Sequence, residues 1–129
     1  MTRAYFDASA IVKLVHHERE SMALFDLLDQ DLEACTSGLS EIEVVRTLGR
    51  LGLPTEGAED VLRGFYIIGI DAAIRARAAR LGPAKIRSLD AIHLATALEV
   101  GADISLVTYD DRLADAARAQ ALRVVQPGR

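Results

Sequence analysis

The sequence predicts an α/β fold in which helices cover a central parallel β-sheet of about five strands. Short apolar runs rich in β-branched and aromatic residues, which are typical of buried strands, alternate along the chain with longer segments of helical period. Strands that alternate with helices in this way form parallel sheets, because each connection crosses the sheet as a helix. The sequence contains no repeat, low-complexity tract or linker.

The predicted elements follow one another from the first residues onward. Apolar runs predict strands at Arg3–Phe6, Glu33–Thr36, Phe65–Ile70, Ile104–Val107 and Leu122–Val125. Between them, periodicity predicts helices at Ser9–His17, Ser21–Leu28, Leu39–Leu51, Thr55–Leu62, Asp71–Leu81, Leu89–Val100 and Asp111–Ala119. Gly52-Leu53-Pro54 and Gly82-Pro83 separate adjacent helices, because glycine ends a helix easily and proline cannot continue one.

The length and composition favour a single domain over residues 1–129. Half of the 129 residues are apolar, which is enough to build one ordinary core. The apolar stretches fall far short of the roughly 20 residues that span a bilayer, and Asp7 comes too early for a signal-peptide core. We therefore expect a cytoplasmic protein with no membrane segment. The single cysteine, Cys35, can form neither an intrachain disulfide nor a zinc site and should be buried.

The charge balance gives a mixed indication about nucleic acid. Fifteen lysine and arginine residues against 19 aspartate and glutamate residues give a net charge of −4, which by itself disfavours a polyanionic partner. The distribution is uneven, because Asp71–Arg87 holds five basic side chains against one acid. A protein with such a basic strip can hold RNA if bound cations neutralise its acidic site.

Two aspartates follow predicted strands, at the edge where sites form in open α/β sheets. Asp7 comes directly after Arg3–Phe6, and Asp110 comes soon after Ile104–Val107. If these strands are adjacent and parallel, both carboxylates lie at one edge of the sheet. Each aspartate has a structural alternative, because it can also cap the helix that follows.

A third aspartate, Asp90, lies near the start of a predicted helix that is apolar nearly all round. Such helices are normally buried, and an ionised carboxylate in a buried place must be paired, neutralised or bound to a metal. The structural alternative is that the amino end of the helix stabilises the charge. His93, one turn later, is expected to be a hydrogen-bonded core residue rather than a metal ligand.

The predicted helix Leu39–Leu51 contributes a fourth acid, for which periodicity leaves two candidates. At 100° per residue, Glu41 falls among apolar positions, whereas Glu43 shares a polar face with Arg46 and Thr47. On this pattern alone, Glu43 is an ordinary surface residue.

Four motifs run in order over nearly the whole chain. They are Tyr5-Phe6-Asp7-Ala8-Ser9, Ser40-Glu41-Ile42-Glu43-Val44-Val45-Arg46, Ser88-Leu89-Asp90-Ala91-Ile92-His93-Leu94-Ala95-Thr96-Ala97 and Leu106-Val107-Thr108-Tyr109-Asp110. Each motif is loose, but four in register are specific. Together they resemble the PIN-domain family and, more narrowly, the VapC toxins of bacterial type II toxin–antitoxin pairs.

The resemblance implies an α/β/α sandwich, Mg²⁺ or Mn²⁺ at an acidic quartet, and endonucleolytic cleavage of RNA. Carried over motif by motif, the quartet is Asp7, Glu43, Asp90 and Asp110. The choice of Glu43 over Glu41 comes from the family, whose glutamate directly precedes an aliphatic residue, here Val44. Carboxylates suit Mg²⁺, which prefers oxygen ligands. Asp90 or Glu43 is also a candidate to accept the proton of the attacking water.

The resemblance also implies supporting residues and partners. Thr108 matches the family's hydroxyl residue two positions before the last acid, and Ser9 and Asp111 are further auxiliary candidates. The expected partners are an RNA substrate and a VapB-like antitoxin. The high apolar fraction adds a homodimer to these expectations.

The candidates for contacts with RNA phosphates are Arg46, Arg50, Lys85 and Arg87. Aromatic residues are few, so recognition should depend on the shape and backbone of the RNA rather than on base stacking.

Two alternative functions remain. An aspartate-based phosphotransfer protein, either a receiver domain or a haloacid-dehalogenase-like phosphatase, also places an acid after its first strand. The phosphatase pattern has a second aspartate where this chain has Ser9, and a receiver has a lysine at the end of its last strand, where Leu122–Pro127 has none. The other alternative is a catalytically inactive PIN-like module that binds RNA or protein, and four retained acids weigh against it.

Overall fold

Five strands form one parallel sheet. The computed structural model describes residues 2–129. The strands in this range are β1 (Thr2–Phe6), β2 (Leu32–Ser37), β3 (Tyr66–Ile68), β4 (Ser105–Val107) and β5 (Arg123–Val125). They lie in the order β3-β2-β1-β4-β5, and each neighbouring pair is parallel. The predicted parallel sheet is confirmed, and Cys35 in β2 is buried as expected.

Seven helices connect the strands within the described residues. They are α1 (Ala8–Val15), α2 (Ser21–Leu28), α3 (Gly38–Arg50), α4 (Glu56–Leu62), α5 (Ala72–Arg80), α6 (Ser88–Val100) and α7 (Asp111–Ala119). Each corresponds to a predicted helix. The longest, α3 and α6, have 13 residues each, and none of the helices in residues 2–129 combines the length and the apolar character needed to cross a membrane.

Two predicted elements differ most from the observed ones. α1 ends two residues early, because the backbone of His16 leaves the helical region with φ −116° and ψ 120°. β3 has three residues rather than the six predicted over Phe65–Ile70. It is an edge strand, and its neighbour β2 ends at Ser37, opposite Ile68. Composition alone does not show where a partner strand stops.

The helices cover both faces of the sheet, which gives an α/β/α sandwich. Helices α1 to α4 pack on one face around a core that includes Phe6 and Leu48. Helices α6 and α7 pack on the other face around Tyr5, Leu94 and Leu113, and α5 packs against α6. Tyr5 and Phe6 point to opposite faces because successive side chains of a strand alternate.

The direction of winding reverses between β1 and β4, which opens a crevice at the carboxyl edge of the sheet. After β1 the chain turns to one face as α1, and after β4 it turns to the other as α7. Phe6 is paired with Val107, so Asp7 and Thr108 follow side by side. The Asp7 amide also donates a 3.2 Å hydrogen bond to the Val107 carbonyl. Open α/β sheets bind ligands at such a switch point.

Candidate active site

Asp7 is buried at the end of β1 and accepts three hydrogen bonds. Its Oδ1 accepts from the Ser9 hydroxyl at 2.7 Å and from the Ala10 amide at 3.2 Å. Its Oδ2 accepts from the Thr108 hydroxyl at 2.7 Å. The bond from Ala10 makes Asp7 the N-cap of α1, so the structural alternative for this residue is correct. The carboxylate also lines the cleft at this edge of the sheet, so capping the helix does not remove it from the cleft.

Opposing effects act on the pKa of Asp7. Burial raises the pKa, because the residue is only 4% exposed and its ionised form is deprived of water. His93 and the three hydrogen-bond donors act in the other direction by stabilising the negative form. Burial dominates, so the pKa lies above its usual value. A buried charge of this kind is stabilised when a cation binds beside it.

The hydroxyls of Ser9 and Thr108 tie the ends of β1 and β4 together. Besides donating to Asp7, the Ser9 hydroxyl accepts a hydrogen bond from the Tyr109 amide at 2.9 Å. The Thr108 hydroxyl accepts from the Asp110 amide at 3.0 Å. Each hydroxyl has one hydrogen and two lone pairs, so it can donate and accept at once. These two auxiliary candidates therefore orient Asp7 and the turn that carries Asp110.

Asp110 begins α7 and also lines the cleft. Its Oδ1 accepts from the amides of Arg112 at 2.9 Å and Leu113 at 3.2 Å, so the N-cap alternative is correct here too. Asp111, the third auxiliary candidate, does not line the cleft. Its exposed carboxylate pairs with Arg129 at 3.0 Å. The structure thus turns two adjacent acids in different directions.

Asp90 lies in the first turn of α6 and is half-buried. The middle of this helix is buried, as its apolar sequence predicted. The pKa of Asp90 is raised from its usual value, first by burial and then by the negative charge of Asp110. Asp7 and Glu43 raise this pKa further, whereas His93 lowers it. Asp90 is therefore within electrostatic reach of the other three acids.

Of the two glutamates in α3, the structure places Glu43 in the cleft. Its Oε1 lies 2.5 Å from Nε2 of His93. Glu41 instead lines a separate groove between α3 and α4. Periodicity did not distinguish them because the cleft lies beside the buried face of α3. Val44 is fully buried, and Glu43 and Thr47 are half-buried next to it.

The four acids of the predicted quartet meet in one cleft of about 200 Å³. It is lined by Asp7, Ala8, Ser9, Val12, Glu43, Thr47, Asp90, His93 and Asp110. Two of the acids follow β1 and β4, and the other two project from α3 and α6. Residues that are distant in the sequence are therefore brought together by the fold itself.

The donor groups of the cleft fit a hard divalent cation. Its carboxylate and hydroxyl oxygens are the ligands that Mg²⁺ and Mn²⁺ prefer. Within residues 2–129, no three His, Cys, Asp or Glu side chains stand close enough together to hold one ion. Such spacing does not suit a zinc site, which needs three or four direct ligands. It suits Mg²⁺, which keeps several waters and is commonly held by one or two carboxylates together with substrate phosphates.

The amino-acid sequence of this chain matches a known family. The model of the PIN domain matches residues 4–119. The chain belongs to the PIN-domain family. This PIN domain is 46% identical over 132 residues to Ribonuclease VapC35 of Mycobacterium tuberculosis, with 96% of each chain covered. It is 40% identical over 129 residues to Ribonuclease VapC46 of the same species, with 98% of this chain and 99% of the relative covered.

The fold of this PIN domain is also similar to that of a solved structure. The toxin–antitoxin complex from Klebsiella pneumoniae contains a chain with a TM-score of 0.73 and 26% identity to this one. The match covers 96% of this chain and 97% of that chain. The resemblance that the four motifs carry is therefore confirmed, together with the α/β/α sandwich that it implied.

Exposed basic side chains lie on α3 and in the segment before α6, the two helices that supply Glu43 and Asp90 to the cleft of this PIN domain. Arg46 and Arg50 are exposed on α3, and Arg50 reaches the hydroxyl of Thr47, a lining residue, at 3.5 Å. Lys85 and Arg87 are exposed in the segment that leads into α6. Among residues 2–129, none of these four basic residues forms an ion pair. Their charges are available to a phosphate backbone.

Sequence analysis missed two residues that support the site. The first is Tyr5. His93 is buried and hydrogen-bonded as predicted, and besides Glu43 it meets the Tyr5 hydroxyl, which lies 2.6 Å from Nδ1. The sequence indicated that Tyr5 needs a hydrogen-bond partner, because a buried tyrosine usually finds one. The second residue is Gln126, which follows β5 and donates from Nε2 to the Thr108 carbonyl at 3.0 Å. Nothing in the sequence around Gln126 indicated this contact.

Proposed function

We propose that this PIN domain is a metal-dependent endoribonuclease and the toxin component of a type II toxin–antitoxin pair. One observation carries the proposal. Four carboxylates from separate elements line one cleft at the switch point of the sheet, namely Asp7, Glu43, Asp90 and Asp110. Burial raises the pKa of Asp7 and of Asp90, so the ionised cluster is unfavourable until a cation binds. The relatives named ribonucleases support RNA as the substrate.

The acids would hold Mg²⁺ or Mn²⁺, and the hydroxyls of Ser9 and Thr108 would keep Asp7 oriented. When bound, the cation supplies a more acidic water for attack on the phosphodiester and stabilises the charge that develops on the phosphate. Asp90 or Glu43 would accept the proton of that water. Without a cation the clustered carboxylates repel the phosphate, so the metal-free protein should be inert.

The exposed basic residues would bind phosphates on either side of the scissile bond. The four candidates are Arg46, Arg50, Lys85 and Arg87. They lie on α3 and before α6, the two helices that supply Glu43 and Asp90, so an RNA backbone held by them would pass over the cleft. Contacts of this kind follow the backbone and carry little base specificity. Action on cellular RNA would place the protein in the cytoplasm.

The test is incubation of the purified protein with total RNA in Mg²⁺, Mn²⁺ or EDTA, followed by mapping of the new ends. We expect cleavage only with a divalent cation. Asp7→Asn, Glu43→Gln and Asp90→Asn should each lower the rate by more than about 100-fold, because loss of outer-shell partners alone typically costs 10- to 100-fold. Circular dichroism would verify that the variants remain folded.

The matched control is Glu41→Gln. Glu41 lies two residues from Glu43 on α3 but lines a different groove, so its substitution should leave cleavage unchanged. Undiminished cleavage by Asp7→Asn, or equal losses from Glu41→Gln and Glu43→Gln, would rule out the proposed site.

An antitoxin is the partner that we propose. The structural relative from Klebsiella pneumoniae belongs to a toxin–antitoxin complex. In this chain, a groove of about 680 Å³ between α3 and α4 combines apolar residues with a rim of three glutamates and one arginine. Arg63 pairs with Glu59 at 3.5 Å, so Glu41 and Glu56 give the rim its net negative charge. Val45 in this groove is 41% exposed. An amphipathic segment with basic residues would fit such a groove.

Co-expression with the product of a neighbouring short gene tests the partnership. We expect the two proteins to purify together, and we expect Val45→Glu to weaken the complex because it puts a charged side chain where the apolar face of the segment would pack. A homodimer is the other assembly that we propose, and sedimentation of the protein alone measures it. A complex that is insensitive to Val45→Glu would place the antitoxin elsewhere on the surface.

A further inference from the structure

Three buried or half-buried polar side chains form a continuous hydrogen-bonded chain behind the acidic cleft. The Tyr5 hydroxyl lies 2.6 Å from Nδ1 of His93, and Nε2 of the same ring lies 2.5 Å from Oε1 of Glu43. Tyr5 is 0% exposed and His93 is 3% exposed. The two rings also meet edge to face, with centroids 5.8 Å apart and an angle of 68° between their planes. The imidazole is therefore held by a hydrogen-bond partner at each of its two nitrogens.

The direction of the hydrogen bonds follows from the donors and acceptors that are present. An ionised Glu43 can only accept, so the hydrogen of this bond must be on Nε2 of His93. A neutral imidazole with hydrogen on Nε2 has a bare Nδ1, which accepts from the Tyr5 hydroxyl. The Tyr5 hydroxyl then donates to Nδ1 of His93, and Nε2 of His93 donates to Oε1 of Glu43. A histidine tautomer is commonly fixed in this way by the group that the other nitrogen meets.

Each member of this chain lies on an element that also supplies an acid. Tyr5 is two residues before Asp7 at the end of β1. His93 is one helical turn after Asp90 on α6, and Glu43 is itself the acid of α3. A histidine with a purely structural role could bond to any nearby carbonyl. This one bonds to a carboxylate of the cleft and links the elements that carry three of the four acids.

We propose that His93 is a positioning residue for Glu43, and that the Tyr5 hydroxyl supports it by donating to the bare Nδ1. The inference rests on the proposed function, because it assigns a task to Glu43 in holding a cation. Glu43 has a long, flexible side chain that is 24% exposed, so its carboxylate would otherwise sample several rotamers. The bond from Nε2 engages Oε1 and leaves Oε2 available to a cation. Outer-shell donors orient metal-binding carboxylates in this way in other proteins.

The test compares His93→Leu with His93→Gln in Mn²⁺ binding, measured by calorimetry on the purified protein. Leucine removes the donor, whereas the glutamine amide can replace Nε2. We expect His93→Leu to weaken Mn²⁺ binding by about 10- to 100-fold and His93→Gln to recover most of the loss. Leu94→Ala is the matched control, since it opens a cavity in the same helix on the side of the apolar core and should leave Mn²⁺ affinity unchanged.

Nitrogen-15 NMR of the His93 ring provides a readout that is independent of metal and substrate. We expect a protonated Nε2 and a bare Nδ1 in the wild type. Tyr5→Phe should leave the hydrogen on Nε2, because Glu43 still accepts it, and should weaken Mn²⁺ binding by a smaller factor than His93→Leu.

The outcomes separate this inference from the proposed function. If the wild type binds Mn²⁺ and cleaves RNA but His93→Leu binds Mn²⁺ equally well, the positioning role is wrong and the function stands. A proton found on Nδ1 of the wild type would also overturn the inference. Equal losses from His93→Leu, His93→Gln and Leu94→Ala would show general destabilisation instead. A wild type that neither binds Mn²⁺ nor cleaves RNA would overturn both proposals.

Discussion

The hydroxyl of Thr108 donates a 2.7 Å hydrogen bond to Oδ2 of Asp7 and so joins the ends of β4 and β1. Thr108→Val removes this donor and keeps the shape of the side chain. We expect the free energy of unfolding to fall by about 1–3 kcal/mol, because a buried carboxylate is left with fewer donors. Mn²⁺ binding should also weaken. Urea denaturation and calorimetry measure the two effects.

Thr108→Ser is the control for this prediction. Serine keeps the hydroxyl and should restore most of the stability and of the Mn²⁺ affinity. If Thr108→Ser is as weak in Mn²⁺ binding as Thr108→Val, then the methyl group matters more than the hydrogen bond.

Asp90 should make the stability of the metal-free protein depend on pH. Burial and the charge of Asp110 raise its pKa in the folded state, so the folded state binds this proton more tightly than the unfolded state does. The wild type therefore loses stability as the pH rises through the folded pKa, and the loss is complete above it. Asp90→Asn, which has no charge to lose, should therefore be more stable than the wild type at pH 7.

The advantage of Asp90→Asn should vanish below the ordinary aspartate pKa of 3.8, where the wild-type carboxyl is neutral in both states. With saturating Mg²⁺ the order should reverse, because the cation stabilises the folded form that binds it. Thermal unfolding at several pH values, with EDTA or with Mg²⁺, checks both statements. A variant that is less stable than the wild type at pH 7 in EDTA would contradict the prediction.

Tyr109 anchors the turn between β4 and α7. Its hydroxyl donates to the Pro127 carbonyl at 2.7 Å, and the ammonium of Lys13 lies 4.9 Å from the centre of its ring. Tyr109→Phe should lower the free energy of unfolding by about 1 kcal/mol at neutral pH, the usual net value of such a bond. Tyr66→Phe is the control, because Tyr66 is 75% exposed and should tolerate the change.

The contribution of Tyr109 should disappear at high pH. Burial, followed by the negative charge of Glu20, raises its pKa to about 12 from an ordinary value of 10.0. The folded state thus keeps the phenol proton longer than the unfolded state, and the wild type loses stability as the pH rises from about 10 to about 12. Tyr109→Phe should lack this fall, which denaturation at pH 9 and above would detect. Parallel curves for the two proteins would refute the assignment.

The salt dependence of RNA binding should reveal the basic residues that contact phosphate. In an Asp7→Asn background, Lys85→Ala or Arg87→Ala should each lower the slope of log K against log salt concentration by about 0.7 for single-stranded RNA. Arg118→Ala is the control, because Arg118 already pairs with Asp115 on α7. Fluorescence anisotropy at several salt concentrations gives the slopes. Unchanged slopes for Lys85→Ala and Arg87→Ala would remove them from the interface.

The fold was largely predictable because its signals are local. Each segment shows its own apolar pattern, either a short run or a helical period, so each element could be predicted from its own residues. The alternation of strands with helices then predicted the parallel sheet. Strand ends depend on pairing instead, which is why β3 stops at Ile68, where its neighbour ends. The placement of Asp7 and Asp110 was predictable for the same local reason, because each follows a strand.

The rest of the site depends on contacts between distant segments. Tyr5 and His93 are 88 residues apart, and alternation along β1 shows that Tyr5 is buried but not what it meets. Glu43 was ambiguous because helical periodicity identifies the face toward the main core, whereas the cleft lies at the margin of that face. Only the four-motif resemblance selected Glu43 over Glu41.

Two of the four acids begin helices, since Asp7 caps α1 and Asp110 caps α7. Asparagine and serine are about as effective as aspartate in this role. A descendant of this chain could therefore lose its charge at both positions and still fold, and under the proposed function it would keep the open crevice without the reaction. Inspection of these two cap positions across chains of the same shape would separate enzymes from the inert binding proteins that evolve from them.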